Sequence, residues 1–332
     1  MGGTALGYQS RRIKRNEYNS IVSHVKSFFY HNFNSPVWDI EAYDLKETFG
    51  DIDFLIDASD FQNAEEIKTH ILSLSTNKKI NSNGNIHSVD YHGVQLDFIL
   101  VNNLDDMIPY YFYTCFDPLG NLLGRYARKL GGLKLGIDGL SYPVRIENYQ
   151  VARIPISKNP ETILSFFGLD YETYMRGFQA QKDIFDFVIN SPFFNRDIIN
   201  LQNYIDRKRD AKRPSWNAFV QYVEETKPEN KHDFKEKEYY FDYIESFFPN
   251  FKETREKYIK EALAKRELKQ KFSRCLDVIR NDKGLEGKDL GIFVADFKKK
   301  FLTDEAFFAM IRDNTEESIS QKLNSHHRDK SL

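Results

Sequence analysis

Three aspartates carry the chemistry that this sequence suggests most clearly. Asp51 and Asp53 open the apolar run FGDIDFLID, and Asp97 lies inside a second apolar run, VQLDFILV. On a strand, residues i and i+2 project from the same face, so the first two carboxylates can reach one point. A charged side chain in an apolar strand is costly unless it is paired, hydrogen-bonded or bound to a metal. If the two strands are neighbours, the aspartates form an all-oxygen cluster that suits Mg²⁺, with Mn²⁺ as an alternative, and not zinc.

Such a cluster suits the transfer of a nucleotidyl group. One metal ion activates the attacking hydroxyl, and a second, roughly 4 Å away, neutralises the triphosphate and the leaving pyrophosphate. The structural alternative is that Asp51 caps a turn and that Asp97 lies at a sheet edge in water.

The elements that must position these residues alternate between strands and helices. Gly93, between two strand-like runs, predicts a tight hairpin. From about residue 159 onward the period is helical, so we expect an α+β fold with a mixed β-sheet and an all-helical C-terminal domain. The pattern predicts an amphipathic helix within residues 1–30, strands at 38–43, 53–57, 86–92, 94–101 and 140–146, and helices beginning near Asp60 and at 118–130.

Composition bounds the class of protein. The 332 residues include 47 Lys and Arg against 49 Asp and Glu, a net charge of −2, so a polyanion would have to bind a local patch. No run of apolar residues is long enough to span a bilayer, and the first residues lack the apolar core of a signal peptide. With only Cys115 and Cys275, the sequence predicts a cytoplasmic protein without a membrane partner.

Three segments resemble the DNA polymerase beta nucleotidyltransferase superfamily, and most closely the family X DNA polymerases. The run Gly50-Asp51-Ile52-Asp53-Phe54-Leu55 is similar to the family's Gly-Asp-hydrophobic-Asp motif. FYTCFDPLGNLLGRYARKLG at 112–131 is similar to its Tyr-Phe-Thr-Gly-Ser segment and the helix after it. KDIFDFV at 182–188 resembles a motif of its thumb. The resemblance covers roughly residues 40–190, and within 112–131 the identical positions are Thr114, Asp117, Ala127 and Gly131.

The resemblance implies a nucleotidyltransferase palm and thumb-like domain over residues 1–190, followed by a helical domain over 191–332 with a polar C-terminal tail. It implies that Asp51, Asp53 and Asp97 hold two Mg²⁺ ions, with Asp97 nearest the attacking hydroxyl. The reaction would transfer NMP or dNMP from a nucleoside triphosphate to a hydroxyl, most readily the end of a nucleic acid, and release pyrophosphate.

The resemblance also implies nucleotide contacts in the segment at 112–131. Phe112 and Tyr113 would lie under the nucleotide sugar, with simple core packing as the alternative. Asp117 would approach the base. Gly120 takes a position where the family often carries an amide that reads the base edge, and glycine cannot do so.

The phosphate-binding region departs from the family. In place of its Gly-Ser loop stands Ile40-Glu41-Ala42-Tyr43-Asp44, whose two acids would repel a triphosphate. The grip on phosphate then falls to Lys46, Thr48 and the Gly50 amide, or to the nest-like Gly2-Gly3-Thr4. Gln95 replaces a residue that is often basic in the family. No helix-hairpin-helix segment accompanies the resemblance, so we do not expect a gap-filling repair polymerase.

A basic run beside aromatic residues is a second feature of interest. Next to Trp216 and Phe219 this run would suit a nucleic-acid backbone and an unpaired base; the alternative is a solvated helix face with Trp216 in the core. The basic residues are Arg207, Lys208, Arg209, Lys212 and Arg213.

Two other functions stay open. One is a nucleotidyltransferase that modifies a protein or a small molecule. The other, motivated by the missing Gly-Ser loop, is a catalytically degenerate palm that serves as a binding or structural module. The sequence also leaves open ribose against deoxyribose and the use of a template.

Overall fold

The computed structural model of the chain describes residues 3–147, 149–199 and 210–329. The fold is mixed α and β, with a mixed sheet and a helical C-terminal region, which confirms the predicted class at that level. Backbone contacts divide the chain into two compact units, Met1–Pro143 with Pro155–Phe251, and Val144–Ile154 with Lys252–Leu332.

This division differs from the boundary near residue 190 that the sequence suggested. Beyond that point the chain still packs on the first unit, because its aromatic side chains complete that unit's core. The ring of Phe219 lies 5.3 Å from that of Phe185, and the Tyr243 hydroxyl donates to the Phe166 carbonyl at 2.7 Å.

The first unit begins with a helix and a mixed sheet. Within the described residues five strands form this sheet in the order β2-β4-β7-β6-β5, while β1 pairs with β3. The structure has a strand at each predicted place and both early helices, but the strand predicted at 38–43 covers only Val37–Asp39. The strands β1, β3 and β5 are additional. The elements are β1 (Ile13–Lys14), α1 (Arg15–Phe33), β2 (Val37–Asp39), β3 (Thr48–Phe49), β4 (Asp51–Asp57), α2 (Ala64–Leu74), β5 (Ile80–Asn83), β6 (Ile86–Tyr91) and β7 (Val94–Val101).

Two local features fix how these strands pair. β6 and β7 are antiparallel around His92 and Gly93, which both have positive φ, so the predicted hairpin is confirmed. β4 and β7 are parallel, and the rings of Phe54 and Phe98 stack with centroids 5.3 Å apart in the core between the sheet and α1. The parallel pair is therefore anchored by buried aromatic side chains on the face opposite the aspartates.

The rest of the first unit is largely helical. Segment 112–131 spans the end of α3 and all of α4, and KDIFDFV lies in α7. The helix α3 was not predicted, because Pro109 interrupts its helical signal, although the Asn103 side chain caps its start at 3.0 Å. The elements are α3 (Leu104–Thr114), α4 (Leu119–Lys129), β8 (Lys134–Gly136), α5 (Pro160–Phe166), α6 (Tyr171–Met175), α7 (Gln181–Ile189), α8 (Pro214–Thr226) and α9 (Phe241–Phe247). Two further strands, β9 (Gly139–Ile146) and β10 (Tyr149–Ser157), are divided between the two units, since Val144–Ile154 belongs to the second.

A buried ion pair ties the start of α8 to α4. The Arg125 guanidinium binds the carboxylate of Asp210, which is fully buried, and stacks over the Trp216 ring at 3.9 Å. Trp216 is 3% exposed and Phe219 is buried, so neither aromatic side chain is presented beside the basic run. Trp216 therefore lies in the core, as the alternative stated.

The second unit has a core of its own. Its helices are α10 (Phe251–Lys283), α11 (Gly287–Lys298), α12 (Asp304–Asp313) and α13 (Glu316–Asp329). The predicted polar tail is wrong, because α13 is helical to Asp329, Leu323 is buried, and His326 lies 3.0 Å from the Asp296 carboxylate. None of the helices in the described part of the chain has the length and apolar character that crossing a bilayer requires.

Candidate active site

The three aspartates lie on two neighbouring strands. β4 and β7 pair in parallel, with Asp51 opposite Gln95 and Asp53 opposite Asp97. Residues two apart share a face, and register partners on adjacent strands lie about 4.8 Å apart, so the three carboxylates project from one face of the sheet. Each is partly exposed, whereas Ile52 between the first two is buried.

Hydrogen bonds hold two of these carboxylates. Asp51 accepts from the Gly3 N–H at 2.8 Å. The Gln95 side-chain amide donates to both oxygens of Asp97, at 3.0 and 2.8 Å, and Ser88 on β6 also hydrogen-bonds to this carboxylate. Among the described residues no hydrogen bond reaches the Asp53 carboxylate, so its charge is stabilised least.

Burial and the closeness of the three carboxylates determine the electrostatics of the cluster. The pKa of Asp53 is raised to about 8, chiefly by burial and then by the charges of Asp51 and Asp97, against the opposing charge of Lys46. Burial also raises the pKa of Asp97, although its hydrogen bonds from Ser88 and Gln95 oppose the shift. The site therefore favours a proton or a cation between its carboxylates.

The donor set has the chemistry of a magnesium site, but two of its carboxylates are already hydrogen-bonded within the protein. In the part of the chain that the structure describes, no group of three or more His, Cys, Asp or Glu side chains is arranged to hold a metal ion. Asp51 faces Gly3 and Asp97 faces Gln95, while the strand register keeps the backbones adjacent. Rotation of these two side chains toward Asp53 would create an all-oxygen ligand set.

The segment from Gly3 to Ser10 lies against this end of the sheet. Besides the bond from Gly3 to Asp51, the Ala5 N–H donates to Gln95 Oε1 at 2.8 Å and Ser10 Oγ donates to the Gly50 carbonyl at 2.5 Å. Gly2 lies outside the described residues, but Gly3 of the Gly2-Gly3-Thr4 candidate directly contacts a site carboxylate.

We expect Gly3→Ala to detach this segment from the site. Gly3 has φ +83°, and a Cβ there would lie 2.1 Å from Ser10 Oγ and 2.4 Å from the Gly50 carbonyl oxygen. The free energy of unfolding should fall by about 2 kcal/mol, measured by urea denaturation. Gly7→Ala is the matched control, because Gly7 also has φ +83° but nothing within 4 Å. Equal losses in the two variants would show that strain alone acts and that the contact with Ser10 and Gly50 contributes nothing.

The residues proposed to bind phosphate differ in where the structure places them relative to the aspartates. Lys46 lies close enough to Asp51 and Asp53 for its pKa to respond to their charges, and burial lowers that pKa overall. The Thr48 hydroxyl accepts from Arg12 at 2.8 Å, and the Gly50 carbonyl accepts from Ser10. Of these predicted residues, Lys46 is therefore the one that places a positive charge near the cluster.

The residues proposed to contact sugar and base are also divided. Phe112 is 1% exposed and packs edge-on against Tyr174, and a Cβ on Gly120 would lie 2.0 Å from the Tyr113 carbonyl oxygen. Gly120 therefore allows α4 to approach the end of α3. Asp117 is exposed and near Lys46, so the structure brings Asp117 toward the cluster but does not present Phe112 or Gly120 at a surface.

The basic run is only partly described. Arg207, Lys208 and Arg209 lie outside the described residues, while Lys212 and Arg213 are exposed just before α8. The proposal of a basic patch here stays a prediction.

Comparisons with known proteins identify no relative. No protein-family model and no curated protein matches this chain. The resemblance to family X polymerases therefore depends only on the residues quoted for it, and the geometry of the site carries the functional argument.

Sequence reasoning missed Arg15 as a residue near the site. Its guanidinium lies over the Phe49 ring at 4.7 Å, on which Lys46 Nζ also lies at 4.8 Å. Arg15 was visible only as part of a basic amphipathic segment. Its approach to residues 46–49 arises from the pairing of β1 with β3, which sequence pattern does not show.

We expect the charge on Asp53 to destabilise the fold at alkaline pH in metal-free buffer. The folded-state pKa of about 8 exceeds the unfolded value of 3.8, so the protonated carboxyl supports the fold fully below pH 4, and this support is lost as pH rises through 8. Relative to Asp53→Asn, the wild type should lose about 2 kcal/mol of unfolding free energy between pH 5 and pH 9, after allowance for partial exposure. Urea denaturation in EDTA measures this, and parallel pH profiles for the two proteins would contradict it.

Proposed function

We propose that this protein is a Mg²⁺-dependent nucleotidyltransferase with a palm like that of the DNA polymerase beta superfamily. The observation that carries the proposal is the parallel register of β4 and β7, which sets Asp53 beside Asp97 and Asp51 two residues away on the same face. Asp51, Asp53 and Asp97 would hold two metal ions. When bound, these ions neutralise the triphosphate and lower the pKa of the attacking hydroxyl.

The chain's own residues have separate roles in this reaction. The attacking hydroxyl oxygen bonds to the α-phosphorus, the bond from that phosphorus to the β-phosphate oxygen breaks, and pyrophosphate leaves. Asp97 lies nearest the attacking hydroxyl and takes its proton. Lys46, close to Asp51 and Asp53, offsets the negative charge of the phosphates. Asp51 must release the Gly3 N–H, or keep it on a second lone pair, to serve as a ligand.

A nucleic-acid end is the acceptor that we propose. The resemblance of residues 40–190 to family X polymerases supports a polynucleotide hydroxyl, and the exposed Lys212 and Arg213 would contact its phosphates. The overall charge of −2 restricts such contacts to a local patch. A protein or small-molecule hydroxyl is the other acceptor class to test.

A second candidate function is a binding module without catalysis. It is favoured by the hydrogen bonds from Gly3 and Gln95, because these bonds already occupy oxygens of Asp51 and Asp97 that a metal ion would need. In that case titration calorimetry would detect no binding of Mg²⁺ together with a nucleotide.

The test is an incorporation assay with the full chain. Each α-labelled NTP and dNTP is incubated with Mg²⁺ and one acceptor: single-stranded DNA, primed DNA, tRNA or a protein mixture. We expect a label on a polynucleotide, resolved on a denaturing gel. Label only on protein would replace the acceptor in the proposal, and no label with any acceptor would contradict catalysis.

A further inference from the structure

A cavity of about 380 Å³ opens in the first unit beside the candidate active site. Its walls come from the start of α1, from the segment after β2, and from Phe116 and residues 175–178. The Phe49 ring connects it to the site, because Arg15 of the cavity and Lys46 of the site both lie on this ring, and Asp51 follows two residues later. A nucleotide whose phosphates lie at the aspartates therefore has this cavity within reach.

Arg15 provides hydrogen-bond donors in this cavity. Its guanidinium is oriented by a hydrogen bond from Nη2 to the Tyr43 carbonyl and by stacking on Phe49. Among the described residues no carboxylate forms an ion pair with Arg15, and its buried Nε has no hydrogen-bond partner. A fixed guanidinium without an anion needs an acceptor from outside.

The residues that line this cavity also provide an acceptor. Asp44 is exposed, and its backbone N–H donates to the Phe178 carbonyl at 2.9 Å, which holds the loop against the wall. Asp39 is already paired with Lys26, and the Glu41 side chain hydrogen-bonds to Tyr111. The cavity thus offers an arginine and the Asp44 carboxylate together, which suits a neutral polar ligand better than a polyanion.

Aromatic side chains lie behind one wall of this cavity. The rings of Phe116 and Phe178 meet edge to face at 5.1 Å, and both side chains are buried. Elsewhere in the first unit, Phe112 and Gly120, two of the residues predicted to contact sugar and base, are buried, whereas Asp117 is exposed near Lys46. The surface near Asp117 and this cavity are then the two places open to a nucleobase.

We infer that this cavity binds the nucleobase of the nucleotide and selects guanine, an inference that rests on the proposed function. Guanine O6 and N7 accept from a guanidinium, while its N1–H and N2–H groups donate to a carboxylate. Adenine has no carbonyl and no N1–H, and a pyrimidine leaves part of the cavity unfilled. Arg15 and Asp44 are the residues that read the two edges.

The test uses nucleoside monophosphates in EDTA, so that neither metal nor catalysis is needed. Titration calorimetry of the full chain with GMP, AMP, CMP and UMP should show GMP binding at least about tenfold more tightly than the others. Asp44→Asn, an exposed substitution, should reduce this preference to about twofold, while Glu224→Gln on the exposed face of α8 should leave it unchanged. Arg15→Lys keeps the positive charge but loses the planar guanidinium that can donate two parallel hydrogen bonds. This variant should therefore weaken GMP binding more than AMP binding.

Each outcome decides the inference. Equal affinity for the four nucleotides, or a GMP preference that survives in Asp44→Asn, would overturn it. Incorporation of label without any base preference leaves the proposed function and refutes this site. Selective GMP binding without incorporation supports the site and refutes the proposed function.

Discussion

Replacing Asp51 and Asp53 together with asparagine will lower Mg²⁺-dependent nucleotide transfer by at least about a thousandfold, which corresponds to about 4 kcal/mol of transition-state stabilisation. Asparagine keeps the shape of both side chains but removes two of the three carboxylates of the cluster. Unfolding would not explain the loss, because removing the crowded charge at Asp53 relieves repulsion. Initial rates at saturating nucleotide measure the effect.

The control is an aspartate on the same strand. Asp57→Asn changes the other end of β4, where the carboxylate accepts from the Ser59 N–H at 2.9 Å and asparagine can replace it as a cap. Its transfer rate should stay within about twofold of the wild type. If the double variant retained a rate within tenfold of the wild type, the aspartates would not be the catalytic centre.

Asp210→Ala should lower the free energy of unfolding by about 3–5 kcal/mol, since it leaves the Arg125 guanidinium buried without its anion. The Arg125 side chain is 8% exposed and that of Asp210 is 0% exposed. Urea denaturation gives the measurement. Glu65→Ala is the control, because Glu65 is 81% exposed in its ion pair with Lys68 and should contribute less than about 1 kcal/mol.

This second prediction also bears on the basic run. Asp210 lies between Arg209 and Lys212, so its pairing with Arg125 anchors this part of the chain to α4. A loss below about 1 kcal/mol in Asp210→Ala would show that the anchor does not support the fold.

Local patterns predicted much of the sheet. Short apolar and β-branched runs indicated β4 and β7, and Gly93 predicted the hairpin before β7. The spacing of Asp51 and Asp53 placed them on one face. Their position beside Asp97 depended on the parallel pairing of two strands about 45 residues apart, which the sequence could state only as a condition.

Contacts between distant residues were beyond sequence reasoning. The hydrogen bond from Gly3 to Asp51 joins residues that are 48 positions apart, and the two residue types do not predict it. Arg15 resembles any basic residue at the start of a helix until β1 pairs with β3 and brings it onto Phe49. The burial of Phe112 follows from its packing on Tyr174, a partner in another helix.

The elements after residue 159 were correctly predicted to be helices, but their division between the two units was not predicted. The resemblance of KDIFDFV to a thumb motif led to a boundary near residue 190, and polar composition led to a polar tail. The aromatic side chains of α8 and α9 instead pack with the first unit, and His326 is buried beside Asp296. The unit to which a helix belongs depends on the core against which its apolar face packs. The sequence of the helix alone does not give that partner.

The most direct test of the central claim follows the label of a nucleoside triphosphate. The full chain is incubated with Mg²⁺, the acceptor that the incorporation assay identifies, and either α-labelled or γ-labelled nucleotide. The account predicts that the α-label enters the acceptor and that the γ-label leaves as pyrophosphate, both reactions being lost in EDTA. Transfer of the γ-label to the acceptor, or no release of pyrophosphate with Mg²⁺, would contradict it.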